Sequence, residues 1–312
     1  MSAASSSRAV EGLTMRSKLA SSPRPATSYA EAAARVEALG AADGASVNPL
    51  CRTQFLTHGR TVERAAVLLH GLTSCPRQYQ ALAPSCYDLG YNVLVPRLPR
   101  HGLADRLTED LATLTAEELL ACVAEAVDIA RGLADRVTVV GLSMGGVLAS
   151  WVAQHREDVD RVVIVSPGFA LKAVPLAATP LAWRLARWLP NRFVWWDPVR
   201  KAEPVPPLHN YPRFATRPVA EVLRLAATIQ AQARRARPAA RSIIVVTNAN
   251  DPVLNNASTN RLVDQWRRRG AEQIRTYEFS ADLGLVHDII DPDQVGQRTD
   301  LVYPVLLDLI TA

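Results

Sequence analysis

The stretch Val137-Thr138-Val139-Val140-Gly141-Leu142-Ser143-Met144-Gly145-Gly146 decides the reading of this chain. Val137 to Gly141 is a short β-branched run of the kind that forms a buried strand. The residues from Met144 to Gln154 carry a helical pattern. Between them lies Gly141-x-Ser143-x-Gly145, the nucleophile-elbow pattern G-x-S-x-G in the strand-to-helix context it requires. A turn this sharp forces Ser143 into a strained backbone conformation, and the elbow glycines Gly141 and Gly145 let it close. The Ser143 hydroxyl is then held above a helix N-terminus, where partial positive charge favours a developing anion.

A serine hydroxyl is a weak nucleophile near neutral pH. It needs an adjacent base, and the base needs a carboxylate to hold its tautomer and stabilise its charged form. Behind an elbow of this type the partners follow in the order serine, acid, histidine. Of the six histidines, His287 lies downstream of the last plausible acid loop and just beyond the expected strand Ile274 to Phe279. The acid read from the sequence is Asp251, in Asn250-Asp251-Pro252, at the carboxyl end of the expected strand Ser242 to Asn248, where α/β sites gather. Asp282 and Asp288 are rivals: the first shares a loop with His287 and the second is its neighbour.

Upstream, His70-Gly71-Leu72-Thr73 ends the apolar run from Ala65 to Leu69. Its turn is expected to aim the Leu72 amide at the site, with the Met144 amide as the second donor of an oxyanion hole. The side chain of His70 is read as a buried histidine at a strand end.

Around these motifs, apolar runs alternate with helical patterns, the signature of an α/β fold with a mainly parallel sheet flanked by helices. The expected strands are Gln54 to His58, Ala65 to Gly71, Asn92 to Leu98, Val137 to Gly141, Val162 to Ser166, Ser242 to Asn248 and Ile274 to Phe279. Most are too continuously apolar for a sheet with a wet face. A Thr115-x-x-Glu118 capping box opens a helix over 116–133, and others are expected over 144–154, 258–269 and from about 293 to the C-terminus. Residues 1–48 read as a flexible leader with one helix over 29–39. Residues 49–168 and 242–312 form the core, and 169–241 is a helical cap inserted between them, since an unstructured loop of that length is uncommon.

The cap holds 13 Lys or Arg residues against Asp197, Glu203 and Glu221, although the whole chain is only +5. A cationic field there would attract anionic substrates or an anionic lipid surface. Leu181, Leu185, Trp188 and Leu189 share one helical face, expected to pack against the pocket. Trp188, Trp195 and Trp196 are candidates to line an acyl site.

A composition of 48% hydrophobic and 21% charged residues is that of a globular protein with a sizeable core. Apolar runs are far shorter than the roughly 20 residues of a membrane-spanning helix, and the N-terminus lacks a secretory apolar stretch, so the expected compartment is the cytoplasm. No basic motif with interleaved aromatics points to nucleic acid. Cys51, Cys75, Cys86 and Cys122 are irregularly spaced and read as reduced and mostly buried. Neither a zinc site nor a disulfide framework is expected.

The segments GLSMGG at 141–146, VLLHGLTSCPRQY at 67–79, VPRLPRHG at 95–102, NDPV at 250–253 and VHDII at 286–290 resemble the bacterial monoacylglycerol lipase and carboxylesterase branch of the α/β-hydrolases. The resemblance covers roughly residues 60 to 310. It implies the α/β-hydrolase fold and hydrolysis of esters with an apolar acyl group under a mobile cap, without metal or organic cofactor. Two departures stand out. Arg100 replaces the glycine that commonly precedes His-Gly in the second loop, and the cap is longer and more basic than in those enzymes. The same triad serves thioesters, lactones and amides, and some members of the fold only bind ligands. A dehalogenase or epoxide hydrolase would carry Asp at the elbow in place of Ser143.

Overall fold

The computed structural model describes residues 22–201, 203 and 206–312. The strands and helices follow in the order α1 (Tyr29–Ala41), β1 (Gln54–Leu56), β2 (Val62–Leu69), α2 (Leu82–Asp88), β3 (Tyr91–Val95), α3 (Ala116–Leu133), β4 (Ala134–Leu142), α4 (Met144–His155) and β5 (Arg161–Val165). They continue with α5 (Thr179–Trp188), β6 (Phe193–Trp195), β7 (Arg213–Ala215), α6 (Thr216–Ala233), β8 (Ser242–Asn248), α7 (Asn256–Arg268), β9 (Ile274–Phe279) and α8 (Thr299–Thr311).

Seven strands make one sheet in the order β1-β3-β2-β4-β5-β8-β9, parallel except for the edge strand β1. Side chains alternate across it. Ala65, Val67 and Leu69 of β2 and Val137 and Val139 of β4 enter one apolar core, together with buried residues of α1, α3, α4, α6 and α7. Ala66, Leu68, Val140 and Leu142 enter a second core with residues of α2 and α8. Covering both faces is what makes the strand sequences continuously apolar, and each fully buried Val or Leu contributes about 1.5–3 kcal/mol. The register pairs Leu69 with Gly141, Leu142 with Val165 and Asn248 with Phe279. The carboxyl ends of β2, β4, β5 and β8 therefore share one edge of the sheet.

The capping box forms as expected. Thr115 Oγ1 accepts from the Glu118 amide at 3.2 Å and Glu118 Oε2 from the Thr115 amide at 2.9 Å. The last helix starts later than its pattern suggests, at Thr299, because the stretch from 293 to 298 includes a left-handed Gly296. The expected leader meets the core at Arg24, whose amide donates to Asp128 Oδ2 at 2.8 Å, while residues 1–21 lie outside the described residues. Ala32 and Val36 of α1 are buried, Arg35 makes a two-pronged 2.8 Å contact to Glu125 of α3, and the Ala26 amide donates to Asp128 O.

Further expectations need correction, the first concerning the cysteines. Cys51 and Cys75 form a disulfide, while Cys86 and Cys122 are free thiols pushed up to about 12 by burial. Tertiary pairing brings the bonded cysteines together: Val47 bridges to Leu103 and the Asn48 amide donates to Gly102 O, which lays residues 47–51 beside the 75 turn. The second correction concerns the stripe on α5. Leu181, Leu185, Trp188 and Leu189 are 59%, 51%, 88% and 57% exposed. They face away from the sheet domain, and α5 meets α6 with its other side.

The segment 169–241 is not wholly helical, since β6 and β7 pair as a short antiparallel hairpin. Its long helix α6 buries Val222, Leu225 and Ile229 in the first core. His209 and Asp291, both buried, approach to 2.8 Å and join this segment to the loop that follows His287.

Candidate active site

Ser143 stands at the junction of β4 and α4 with φ 58° and ψ −113°. This left-handed conformation is rare outside glycine and is held here by surrounding structure. The Ser143 amide donates to Val165 O and its carbonyl accepts from the amide of Gly168, each at 3.0 Å. A Cβ on Gly141 would collide with the Gly145 carbonyl, and one on Gly145 with the Leu69 carbonyl. Both elbow glycines thus permit backbones to touch.

The three residues drawn from β4 and the loops after β8 and β9 meet at the shared edge. His287 Nε2 lies 3.0 Å from Ser143 Oγ, and His287 Nδ1 lies 2.8 Å from Asp251 Oδ2. The amides of Val253 and Leu254 donate to Asp251 Oδ1 at 2.8 and 2.9 Å. Burial by itself would raise the Asp251 carboxyl, but the His287 hydrogen bond and those two amides outweigh it and hold the group below its usual value. The rivals are engaged elsewhere. Asp282 is exposed and bonded to Ser280, and Asp288 accepts from Gln78. Burial, followed by the nearby Asp291, raises the Asp288 carboxyl.

At the end of β2, the His70 ring is fully buried. Its Nε2 accepts from the Leu98 amide at 3.1 Å, so Nδ1 carries the proton and donates to Gly71 O at 3.0 Å. Desolvation, then the neighbouring His101, drives its pKa well below normal and keeps it neutral. Within the turn that follows, Gln78 Oε1 claims the Gly71 amide at 2.9 Å. Among the described residues the Leu72 amide has no hydrogen bond, and Met144, as the first residue of α4, has an amide without a partner inside the helix. Leu72 and Met144 both border the cavity above Ser143.

That cavity has a volume of about 720 Å³. Its floor holds Ser143 and His287, and its apolar wall comes from Leu171, Phe214, Val219, Val222, Leu223 and Leu254. Of the three tryptophans proposed for an acyl site, only Trp196 lines it, with Nε1 donating to Thr73 Oγ1 at 3.0 Å. Trp188 is exposed on α5, and Trp195 lies in the hairpin with the Arg213 guanidinium near its ring. Nothing in a helical or strand period distinguishes these three positions.

Arg100, where a glycine was expected from the resemblance, adopts the left-handed conformation a glycine would favour, φ 66°. Its side chain contacts Glu118 at 2.7 Å. Sequence reading missed Asn248 and Gln78. Asn248 ends β8 and its Nδ2 donates to the carbonyls of Leu285 and Val286 at 3.0 and 3.1 Å, fixing the approach to His287. A polar residue closing an apolar strand was the available signal. No cluster of His, Cys, Asp or Glu suited to a metal occurs among the described residues, nor a helix long and apolar enough to cross a membrane.

A family model described as "Alpha/beta hydrolase family" matches residues 66–291. A thermostable monoacylglycerol lipase of Bacillus sp. (strain H-257) is 31% identical over 113 residues, 36% of this chain and 44% of that protein, so the match spans less than half of the relative. Among solved structures, one from work on the metagenome-derived lipolytic enzymes LipS and LipT superposes with a TM-score of 0.65 at 21% identity, covering 85% of this chain and 99% of the other. The monoacylglycerol lipase of Paleococcus ferrophilus gives a TM-score of 0.60 at 20% identity over 83% and 97%. These structural matches establish shared architecture.

Proposed function

Because the chain belongs to the alpha/beta hydrolase family, we propose that it is a serine hydrolase of carboxylic esters with an apolar acyl group, working through an acyl-enzyme intermediate. The observation that carries this reading is the continuous relay from Asp251 to His287 to Ser143, at 2.8 and 3.0 Å, on the floor of a largely apolar cavity.

Ser143 Oγ attacks the ester carbonyl carbon while His287 Nε2 takes its proton. The carbonyl oxygen becomes an oxyanion held by the amides of Leu72 and Met144. Asp251 keeps the His287 proton on Nδ1 and stabilises the imidazolium. When the tetrahedral intermediate collapses, His287 returns its proton to the departing alcohol. Water activated by the same histidine then releases the acid and restores Ser143. Residues 169–241 act as the cap, the hairpin and the start of α6 walling the acyl chain from solvent. The exposed face of α5, with Arg184 beside it, suits contact with an anionic lipid surface.

The test is labelling with a fluorophosphonate probe, together with hydrolysis of p-nitrophenyl esters of increasing chain length. Wild type is expected to label and to prefer medium or longer acyl chains, and Ser143→Ala to lose both activities. Label that persists in Ser143→Ala, or wild type that never labels, refutes the proposal. Parallel thioester and amide substrates establish the leaving group.

A further inference from the structure

Gln78 is 2% exposed and lies in the tight turn Pro76–Tyr79 that follows the oxyanion loop. A buried primary amide is stable only when both of its ends are used. Here Oε1 accepts from the Gly71 amide at 2.9 Å and Nε2 donates to Asp288 Oδ2 at 2.6 Å. The far side of Asp288 is equally fixed, since Oδ1 accepts from the amides of Ile290 and Asp291 at 3.2 and 3.1 Å. Gly71 precedes Leu72, whose amide is assigned to the oxyanion, and Asp288 follows His287. One side chain therefore spans the two loops that supply the oxyanion donor and the base. Gly71 packs closely between Gln78 and the nucleophile, for a Cβ built there would lie 3.6 Å from both Gln78 Nε2 and Ser143 Cβ.

We propose that Gln78 is a positioning residue that sets the distance between the Leu72 amide and His287 by bridging the Gly71 amide to Asp288. The inference rests on the serine-hydrolase reading above. The bridge is directional: hydrogens run from Gly71 to Gln78 and from Gln78, Ile290 and Asp291 to Asp288. If it breaks, the two loops relax independently. Misplacement of reacting groups by a fraction of an ångström up to an ångström lowers turnover by about 10- to 100-fold while leaving ground-state binding nearly intact.

The direction of the bridge supplies its own control. In Asp288→Asn the new amide must keep its oxygen toward Ile290 and Asp291. Its NH2 then faces the Gln78 NH2, and turning Gln78 over only sets two donors together at Gly71. In Gln78→Glu two carboxyl groups face each other. In the double variant Gln78→Glu/Asp288→Asn every donor again meets an acceptor, with the middle bond reversed and the net charge unchanged.

The experiment compares kcat, KM, the fluorophosphonate inactivation rate and the melting temperature of wild type, both single variants and the double variant. The expected result is a kcat loss of about 10- to 100-fold in each single variant, KM within about threefold, inactivation slowed in parallel, and recovery to within about fivefold of wild type in the double variant. Single variants with wild-type kcat, or a double variant no better than the worse single, overturn the proposal. So does a loss that appears in KM and melting temperature and not in kcat. Labelling of wild type and its loss in Ser143→Ala distinguish failure of this bridge from failure of the hydrolase reading itself.

Discussion

Asp251 reaches His287 from a loop that Pro252 and two amide hydrogen bonds leave little freedom. Replacing it with Asn keeps the shape but offers His287 Nδ1 an amide in place of a full charge. Asp251→Asn is expected to lower kcat by about three to four orders of magnitude with little change in KM, measured on p-nitrophenyl esters. Near-wild-type activity in that variant would move the acid elsewhere. His101 acts on stability. It is fully buried, its Nδ1 faces Pro99 O at 2.8 Å, and desolvation lowers its pKa to about 4. The unfolded chain protonates this ring near its ordinary value of about 6.5, so between pH 6.5 and 4 the unfolded state binds the extra proton. Stability is therefore complete above that window and declines as pH falls through it, by about 3 kcal/mol from His101 alone at its lower end. Asp251 acts lower still: its depressed pKa keeps its contribution until pH drops below the ordinary carboxylate range. Urea titrations at several pH values check the first effect, and His101→Asn is expected to flatten the slope. An unchanged slope counts against the assignment.

Helices of one amphipathic pattern meet different fates in this chain. In α6 the apolar stripe enters the first core, whereas in α5 it faces outward. Ile229→Ala is expected to cost about 2–5 kcal/mol through transfer and cavity terms, while Leu185→Ser and Trp188→Ser stay within about 0.5 kcal/mol of wild type. Chemical denaturation of the three variants checks this, and a large cost at Trp188 would mean that α5 packs against something. The strands β2, β4, β5 and β8 were legible because their continuous apolar runs suit a sheet covered on both faces. β6 and β7 were not, since they lie in the segment read as a helical insertion and have three residues each. The start of α8 was misjudged because Gly296, in the left-handed conformation, interrupts the stretch after 293.

For the whole molecule, the basic residues of the 169–241 segment are partly neutralised. Arg224 contacts Glu117 and Glu221, and Arg241 reaches Asp160 at 3.2 Å. The exposed α5 face is the apolar surface proposed above for an encounter with lipid. Binding to vesicles containing anionic lipid is expected to exceed binding to neutral vesicles, to weaken with added salt, and to fall in Leu185→Ser and Trp188→Ser with hydrolysis of dissolved short-chain esters unchanged. Co-sedimentation measures it, and equal binding of all variants to both vesicle types would refute it. The disulfide also belongs to this scale. Cys51 and Cys75 are 24 residues apart and 5.2 Å apart at Cα, a proximity created by how residues 47–51 dock beside Gly102 and not by any local pattern.

The sequence alone determined the parallel α/β order, the elbow at Ser143 and the expected chain order of serine, acid and histidine, because strand hydrophobicity and a sterically demanding turn leave residue-level signatures. Tertiary structure decided the rest: which carboxylate faces His287, which tryptophan lines the cavity, which cysteines pair, which way α5 turns, and that Gln78 bridges two loops 210 residues apart in sequence. Each of these depends on distances between segments remote along the chain, and periodicity describes the faces an element has without naming what those faces meet.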